Sequence, residues 1–452
     1  TIGIVGLNDF HGNLQPISRP VRIADGVEVK AGGAAYLAAA VDALRAKRAN
    51  TMVIAAGDLI GASPLVSSLF LDEPSIGAMN RIGLDFNAVG NHEFDRGWRE
   101  LMRVQNGGCE KLTLREPCAV EADFAGARFG FLAANVRTAD GGTLFPGYGI
   151  KSFETPAGEI RIGVIGLTLK ETPTLVTPSG VDGLTFGEEA AAINALVPVL
   201  EDQGVDAIVI AIHQGLYTEV GYNDKSCGGV SGPLIDILRQ VDPRVDLVLS
   251  GHTHAAYVCD FARIDPSRTF LVTSAGYGGS FLTDIEMEFD PSTHDVVRVT
   301  ADNVVVQSAA PQDANPAFAT LSPNAGVAAY VARYADAARA AEQRPVGRVE
   351  GNGSAPGPAT EETQLGNFID PESRYPVLVT TSRLLSTGVD AQTCRLIVLD
   401  REVGSMTEFK QIVGRGTRVH EDTRKYYFTL MDFRGATNHF ADPDFDGEPV
   451  QI

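Results

Sequence analysis

The sequence predicts an α/β fold in which buried strands alternate with amphipathic helices. Short apolar runs rich in β-branched residues indicate strands that are buried on both faces. They span residues 2–7, 51–56, 86–89, 205–212 and 245–249. Ala, Leu and Val at helical spacing predict helices between these strands. They span residues 34–49, 72–83 and 188–203. All five strands end in residues that can bind a metal, and two further strands are predicted over residues 129–136 and 160–167.

The residues after the five strands share one chemistry, because their side chains offer carboxylate, imidazole or amide atoms. Along the chain they are Asp9, His11, Asp58, Asn91, His213, His252 and His254. Ligands of open α/β sheets collect at the carboxyl ends of the strands, so we expect all seven side chains to lie together. A lone His at a strand end is more often structural than a ligand, and the prediction therefore rests on the five fragments in combination.

The residue types indicate a centre for two metals. Two divalent cations about 3.5–4 Å apart can stabilise both the attacking and the leaving oxygen of a phosphoryl displacement. Such a pair needs a bridging carboxylate, and Asp58 suits this role. Mixed imidazole, carboxylate and amide ligation favours Zn, Mn or Fe over Ca or Mg. Asp95, three residues after His92, can hold that imidazole in one tautomer.

These fragments resemble the motifs of the calcineurin-like metallophosphoesterases, and more narrowly of the secreted 5′-nucleotidases, over about residues 1–369. The motifs are Asp9-Phe10-His11-Gly12, Gly57-Asp58, Gly90-Asn91-His92-Glu93-Phe94-Asp95, His213 and Gly251-His252-Thr253-His254. The resemblance implies a sandwich of two β-sheets flanked by helices. It also implies a dinuclear metallophosphatase that cleaves phosphomonoesters, nucleotides above all, by attack of metal-held water. A phosphodiesterase or nuclease that uses the same site is an alternative.

The resemblance assigns a role to each of these residues. One metal would be bound by Asp9, His11, Asp58 and His254, and the other by Asp58, Asn91, His213 and His252. His92 would stabilise the phosphate or protonate the leaving group, and Asp95 would orient His92. Some members have Gln at the position of His254.

Length, charge and hydrophobic pattern limit the kinds of partner that the protein can have. A chain of 452 residues is long enough for two or three domains. The net charge of −20 disfavours a general binder of nucleic acid or of anionic membranes. No apolar run approaches the roughly 20 residues of a membrane span. The chain opens on a strand without a signal peptide, as we expect of a processed protein. We therefore expect a small phosphorylated substrate.

The five cysteines do not by themselves show whether disulfides form. Their spacing does not determine connectivity, and free thiols are an alternative. With the nucleotidase resemblance, the favoured pairs are Cys109–Cys118 and Cys227–Cys259, with Cys394 left over. Such disulfides are typical of exported enzymes. We therefore expect a secreted, periplasmic or cell-surface protein.

Composition and the resemblance together predict four parts of the chain. Residues 1–310 form the predicted catalytic domain, completed by antiparallel strands within residues 270–310. Residues 311–345 contain a Pro/Ala/Asn-rich linker and an Ala-rich helix over residues 324–343. Residues 346–369 resemble the opening of the second nucleotidase domain, which binds the nucleoside, and no base-stacking aromatic residue can be assigned there.

Residues 370–452 differ in character from the rest. The patterns Thr-Gly-Val-Asp (387–390) and Gln-x-x-Gly-Arg-x-x-Arg (411–418) resemble the last two motifs of superfamily-2 helicases. The match is closest to the motor subunit of type I restriction enzymes. It implies a partial RecA-like α/β fragment. Its predicted strands span residues 375–382, 394–400 and 426–433, and its helix spans residues 406–418.

In the helicase family Arg415 and Arg418 would approach ATP phosphates. The sequence has no Gly-x-x-x-x-Gly-Lys-[Ser/Thr] loop, so we expect both arginines to be inactive here. An ATP-dependent DNA translocase fragment is thus an alternative that rests on this segment alone, and a non-catalytic product is another. We interpret the chain as a fusion of two unrelated fragments, joined near residues 366–371.

Overall fold

The computed structural model describes residues 1–24, 26–342, 392–400, 406–414, 416–417, 420–423 and 425–433. Its contacts divide the chain into two units, Thr1–Ala341 and Glu342–Ile452. The predicted remnant at 346–369, the strand at 375–382 and the Thr-Gly-Val-Asp pattern lie outside the described residues. The domain boundaries near residues 310, 345 and 369 stay predictions.

The first unit contains two six-stranded sheets. In spatial order the first consists of β16 (Val296–Val305), β15 (Phe281–Phe289), β1 (Ile2–Leu7), β4 (Thr51–Ala55), β5 (Phe86–Ala88) and β6 (Gly130–Leu132). Strands β1, β4, β5 and β6 run parallel, and β15 and β16 are antiparallel neighbours. The predicted strands at residues 2–7, 51–56 and 86–89 are therefore adjacent and end on one side.

The second sheet repeats this plan. In spatial order it consists of β13 (Ala256–Asp260), β14 (Leu271–Ala275), β12 (Leu247–Ser250), β11 (Ala207–Ile212), β9 (Gly158–Leu167) and β8 (Tyr148–Thr155). Its four central strands are parallel, and β13 and β8 are antiparallel edge strands. Short two-stranded pairings join β2 (Val21–Ala24) to β3 (Val27–Val29), and β7 (Val136–Thr138) to β10 (Leu184–Phe186).

The two sheets pack face to face, which explains why their central strands are apolar on both faces. In β1, Ile2 and Ile4 lie in the core between the sheets, while Val5 and Leu7 lie in the core under the helices. The helices that cover the outer face of the first sheet are α1 (Ala34–Arg45), α3 (Glu73–Ile82), α4 (Trp98–Asn106) and α8 (Ala325–Glu342).

Other helices lie over the second sheet or in loops. The helices α6 (Glu189–Asp202) and α7 (Leu234–Arg239) cover the outer face of the second sheet. Two single-turn helices are α2 (Leu65–Ser68) and α5 (Thr172–Leu175). The layers are therefore helix, sheet, sheet and helix, and the predicted α/β sandwich is confirmed. Among the residues described, no helix has the length and apolar character needed to cross a membrane.

Two details of the predicted strands were wrong. Residues 129–136 were expected to form one strand, but they contribute to β6 and β7, which belong to different sheets. Asn135 lies between them and donates to the carbonyl oxygens of Thr168 and Gly187, which turns the chain out of the first sheet. Residues 270–310 are not all antiparallel, since β14 runs parallel to β12 before the chain crosses to the first sheet.

The predicted Ala-rich helix is present as α8, and it packs within the first unit. Val327, Tyr330, Val331 and Tyr334 are buried along one of its faces, as its spacing predicted. The Tyr330 hydroxyl lies over Gly77 of α3, where an added Cβ would be 1.8 Å away. Only glycine therefore permits this approach of the two helices.

The second unit is described in part. Strand β17 (Leu396–Leu399) runs parallel to β18 (Thr429–Asp432), and the helix α9 (Met406–Val413) accompanies them. Leu399, Phe409 and Val413 form their core. These elements agree with the expected strands at 394–400 and 426–433 and with the first part of the helix at 406–418.

Both favoured disulfides are confirmed. Cys109 is bonded to Cys118, and Cys227 is bonded to Cys259. Cys394 is a free thiol, as expected.

Candidate metal centre

The seven predicted ligands lie together because both sheets direct the carboxyl ends of their parallel strands to one side. The loops after β1, β4 and β5 carry the predicted ligands of the first sheet, and the loops after β11 and β12 carry those of the second. Within the described residues, side chains of His, Cys, Asp and Glu form two groups that could hold a metal ion. The first contains Asp9, His11 and His254, and the second contains Asp58, His213 and His252.

The first group is formed by loops that are distant in sequence. Nε2 of His11 lies 3.2 Å from Nε2 of His254 and 3.7 Å from Oδ1 of Asp9. Nδ1 of His11 donates to the carbonyl oxygen of Gly61 at 2.9 Å, which leaves Nε2 as the free ring nitrogen. Two ring nitrogens that face each other beside a carboxylate form a site for a cation.

The second group has the same character. Nε2 of His213 lies 3.0 Å from Oδ2 of Asp58, and its Nδ1 donates to the carbonyl oxygen of Ala56 at 2.8 Å. The amide oxygen of Asn91 is 3.2 Å from Nε2 of His213 and 3.1 Å from Nδ1 of His252. The structure thus brings Asn91 to this group, where its amide oxygen faces two imidazoles.

Asp58 lies between the two groups. Its Oδ2 atom is 3.6 Å from Nε2 of His11 in the first group as well as 3.0 Å from Nε2 of His213 in the second. Its other oxygen accepts a hydrogen bond from the backbone N–H of His92 at 2.9 Å. The carboxylate is therefore fixed in a position from which it reaches both groups.

The ligand loops have strained backbones. Left-handed φ angles, which are uncommon outside glycine, occur at Asp9 (46°), His11 (45°), Asp58 (52°), His252 (72°) and His254 (57°). Such strain concentrates at functional sites, where the surrounding structure maintains it. Gly90 allows the close approach of two loops, since an added Cβ there would lie 2.1 Å from Oδ1 of Asp58.

The two histidines nearest the carboxylates have raised pKa values, which favour their protonated forms. Burial alone would lower the pKa of His213, but the charge of Asp58 and a hydrogen bond to it raise this pKa to about 10. Burial would lower the pKa of His11 as well, but a hydrogen bond to Asp9 and the charge of Asp58 raise it to about 9. A proton at either ring occupies the place that a metal cation would take.

The pKa values of Asp58, His252 and His254 are lowered instead. Burial would raise the pKa of Asp58, but the charge of His213 lowers it below its ordinary value. Burial lowers the pKa of both His252 and His254, so these rings are neutral and free to act as ligands. The His254 side chain is 47% exposed, so it lies at the mouth of the site.

His92 and Asp95 form a pair at the edge of the two groups. Nδ1 of His92 donates to Oδ2 of Asp95 at 2.9 Å, and this hydrogen bond is the largest cause of the raised pKa of His92. The ring centroid of His92 is 5.2 Å from that of His11. With Nδ1 bound to Asp95, Nε2 is the nitrogen available to a substrate.

Glu93 organises the site in a way that the sequence did not reveal. Its carboxylate is buried, with 2% of the residue exposed. It accepts backbone hydrogen bonds from Asp58 at 2.9 Å, from Leu59 at 2.8 Å and from Gly90 at 2.7 Å. Burial and the charge of Asp58 raise the pKa of Glu93 to about 7. Its position inside the conspicuous hexapeptide was the one available signal.

Two further residues border the first group. Asn8 donates to Oδ2 of Asp9 at 2.7 Å and accepts from the backbone N–H of Ala275 at 2.6 Å, which holds the Asp9 carboxylate. The ring of Tyr277 packs 4.7 Å from the ring of His254, between centroids. Arg415 and Arg418 of the helicase-like segment lie outside the described residues.

Fold and site together are those of a metal-dependent hydrolase, and the comparison with known proteins agrees. A family profile described as calcineurin-like phosphoesterase matches residues 2–256. The chain belongs to the calcineurin-like phosphoesterase family, and it is accordingly a metal-dependent phosphoester hydrolase.

Similar proteins place it near the nucleotidases. A probable 5′-nucleotidase of Treponema pallidum is 32% identical over 254 residues, which are 56% of this chain and 36% of that protein. A protein encoded in the pqq-V 5′ region of Acinetobacter calcoaceticus is 50% identical over 161 residues, 34% of this chain and 79% of that protein. The solved structure of Haemophilus influenzae NAD nucleotidase shares the fold, with a TM-score of 0.57, 20% identity, and coverage of 77% of this chain and 62% of that one.

The C-terminal segment is similar to a different protein. The type I restriction enzyme EcoAI endonuclease subunit of Escherichia coli is 56% identical over 91 residues. These are 20% of this chain but 11% of the restriction subunit. The predicted double resemblance is therefore confirmed, and the chain spans only a small part of this second relative.

Proposed function

We propose that the protein is a dinuclear metallophosphatase. In this proposal Asp9, His11 and His254 bind one divalent cation, and Asn91, His213 and His252 bind the other. Asp58 bridges the two, and the observation that supports this most directly is its Oδ2 atom, which lies within 3.6 Å of ring nitrogens of both groups.

The donor set fits divalent metals. The free nitrogens of His11 and His213 face carboxylates and other ring nitrogens, an arrangement that needs positive charge between the atoms. Four imidazoles with two carboxylates and one amide favour Zn, Mn or Fe. When bound, such a metal pair would neutralise the charge of a transferring phosphoryl group and activate water.

The protein's own groups supply the remaining steps. The Nδ1–H group of His92 is bound to Asp95, which leaves Nε2 of His92 able to donate a proton to the leaving oxygen of the ester. The raised pKa of His92 favours the protonated form that this donation requires. Asp95 also accepts from the backbone N–H of Ala62 at 3.2 Å, so it orients the ring while being oriented itself.

The first test concerns the metals. Chelation of the purified chain should abolish hydrolysis of an aryl phosphate, and Zn, Mn or Co should restore it. Asp58→Asn should lose most of the activity because the bridging charge is removed. Asp246→Asn is the matched control: this half-buried carboxylate also accepts a backbone hydrogen bond, from Ile208, but belongs to neither metal group. Full activity in a metal-free sample would refute the proposal.

Nucleotides are the proposed natural substrates, because relatives of the catalytic region are 5′-nucleotidases. Binding of the nucleoside, a remote part of the substrate, contributes to transition-state stabilisation in such enzymes. Residues 370–452 resemble a restriction subunit instead of a nucleoside-binding domain. We therefore expect similar kcat/KM values for AMP and p-nitrophenyl phosphate. A strong AMP preference that disappears when the C-terminal segment is removed would contradict this expectation.

The two disulfides favour an oxidising compartment. A secreted, periplasmic or cell-surface location is therefore part of the proposal. Mass mapping of protein isolated without reductant tests it, because export predicts both bonds intact.

A further inference from the structure

An ion pair outside the motifs connects the His92 loop to the metal-binding loops. Arg96 directly follows Asp95, and its Nη1 donates to Oδ2 of Asp72, while its Nη2 donates to the carbonyl oxygen of Ser68 at 3.1 Å. Asp72 is fully buried, and its other oxygen accepts from the Ser67 hydroxyl at 2.6 Å. A buried carboxylate is thus paired with a guanidinium from the catalytic loop.

Asp72 continues the connection towards the first metal group. Its Oδ2 atom accepts from the backbone N–H of Gly61 at 3.4 Å. The carbonyl oxygen of Gly61 in turn accepts from Nδ1 of His11 at 2.9 Å. The next residue, Ala62, donates its backbone N–H to Oδ2 of Asp95 at 3.2 Å, and the same oxygen accepts from His92. Together with the chain itself at Gly61–Ala62 and at Asp95–Arg96, these hydrogen bonds form a closed path between the loop after β4 and the His92 loop.

The backbone at Gly61 leaves no room for adjustment along this path. Gly61 has a left-handed φ of 83°. An added Cβ would lie 2.3 Å from the carbonyl oxygen of His92 and 2.8 Å from Oδ2 of Asp95. A shift of Gly61 would therefore displace the His92 loop directly, because the two backbones are in contact without a side chain between them.

We propose that Arg96 and Asp72 are positioning residues that set the place of the His92 ring relative to the metal centre. This inference rests on the proposed function, since it needs the catalytic role of His92. In the described contacts Arg96 touches none of the predicted ligands. It acts through Asp72 and Gly61 and through its covalent neighbour Asp95. The alternative is that Arg96 only stabilises the fold.

A double-mutant cycle on the full chain separates these two roles. Arg96→Gln should lower kcat for p-nitrophenyl phosphate by about 10–100-fold, the range for partners that orient a catalytic centre. KM and bound metal should stay unchanged. In the His92→Ala background the same substitution should lower kcat by less than about twofold, because the ring that it positions is gone.

A matched control is Arg45→Gln. Nη1 and Nη2 of Arg45 donate at 2.6 Å to the carbonyl oxygens of Ile82 and Gly83, so this arginine also joins two elements, but away from the site. Arg45→Gln should lower the free energy of unfolding and leave kcat unchanged. An Arg96→Gln variant that behaves in the same way would overturn the inference.

Further outcomes are equally decisive. Equal losses of kcat from Arg96→Gln with and without the His92 ring would assign Arg96 a structural role only. If Arg96→Gln does not fold because Asp72 is left unpaired, Arg96→Gln combined with Asp72→Asn removes both charges, and the same two backgrounds are compared. Absence of metal-dependent hydrolysis in the unmodified chain would instead refute the proposed function itself.

Discussion

Replacement of Glu93 by Gln should weaken metal binding although Glu93 is not a predicted ligand. The carboxylate accepts three backbone hydrogen bonds, from Asp58, Leu59 and Gly90, all between 2.7 and 2.9 Å. One of these bonds positions the backbone of the bridging Asp58. Another comes from the residue before the ligand Asn91. The Glu93→Gln variant therefore perturbs the loops after β4 and β5 together.

The magnitude follows from the hydrogen bonds. The glutamine oxygen can replace Oε2 and keep the two bonds from Asp58 and Gly90, but its NH₂ group then faces the N–H of Leu59. A buried donor that is left without a partner, here the N–H of Leu59, costs about 1–3 kcal/mol. We expect the free energy of unfolding of the metal-free protein to fall by about that amount. Metal affinity should fall by about 10–100-fold, as for other groups that orient ligands.

The assay compares two buried glutamates. Zinc affinity is measured by competition with a chromophoric chelator, and stability by urea unfolding in the presence of EDTA. The control is Glu189→Gln, because Glu189 is 3% exposed and accepts from the backbone N–H of Lys170 at 2.8 Å, outside both metal groups. Both variants should lose stability, and only Glu93→Gln should lose zinc affinity. Unchanged affinity in Glu93→Gln would refute the reasoning.

Two other substitutions test the site and the fold. His92→Ala should lower kcat by about 10²–10⁴-fold, the range for a positioned acid or base, with both metals still bound. Asp95→Asn should lower kcat less, because Asp95 only orients the His92 ring. Loss of metal from His92→Ala would instead identify His92 as a ligand. Burial raises the pKa of Asp246 to about 6, so its charged form destabilises the fold, and the penalty grows as pH rises from about 4 to 6. Asp246→Asn should therefore be more stable by about 1–3 kcal/mol at pH 7.5, and equal stability gains at pH 4 and pH 7.5 in urea unfolding would contradict this assignment.

Much of the candidate site is visible in the sequence because its signals are local. A β-branched apolar run followed by Gly-Asp or Gly-Asn-His indicates a strand end with ligands, and parallel strands place their ends on one side. The α/β class followed from strands that are apolar on both faces, which β1 and β11 satisfy in full. The helix α8 was likewise predictable, since its buried residues lie at helical spacing.

The errors have a common cause, which is that sheet membership is decided by distant partners. Residues 129–136 are apolar apart from Asn135, yet the hydrogen bonds of Asn135 to Thr168 and Gly187 divide them between two sheets. The strand β14 has the same local pattern whether it pairs in parallel or antiparallel fashion. It runs parallel to β12 because the chain first forms β13 at the sheet edge.

Residue types and their order along the chain suffice to predict the ligands, because metal binding depends on the donor atoms of the side chains, which the sequence gives directly. The grouping of these ligands depends on folding, since Asp9 and the backbone of His252, 243 positions apart, meet within 2.9 Å. The same holds for the supporting carboxylates. Glu93 and Asp72 are ordinary acids in the sequence. They acquire their roles because burial removes water and leaves only groups of the protein as hydrogen-bond partners. These partners are the N–H groups of neighbouring loops and, for Asp72, also the guanidinium of Arg96.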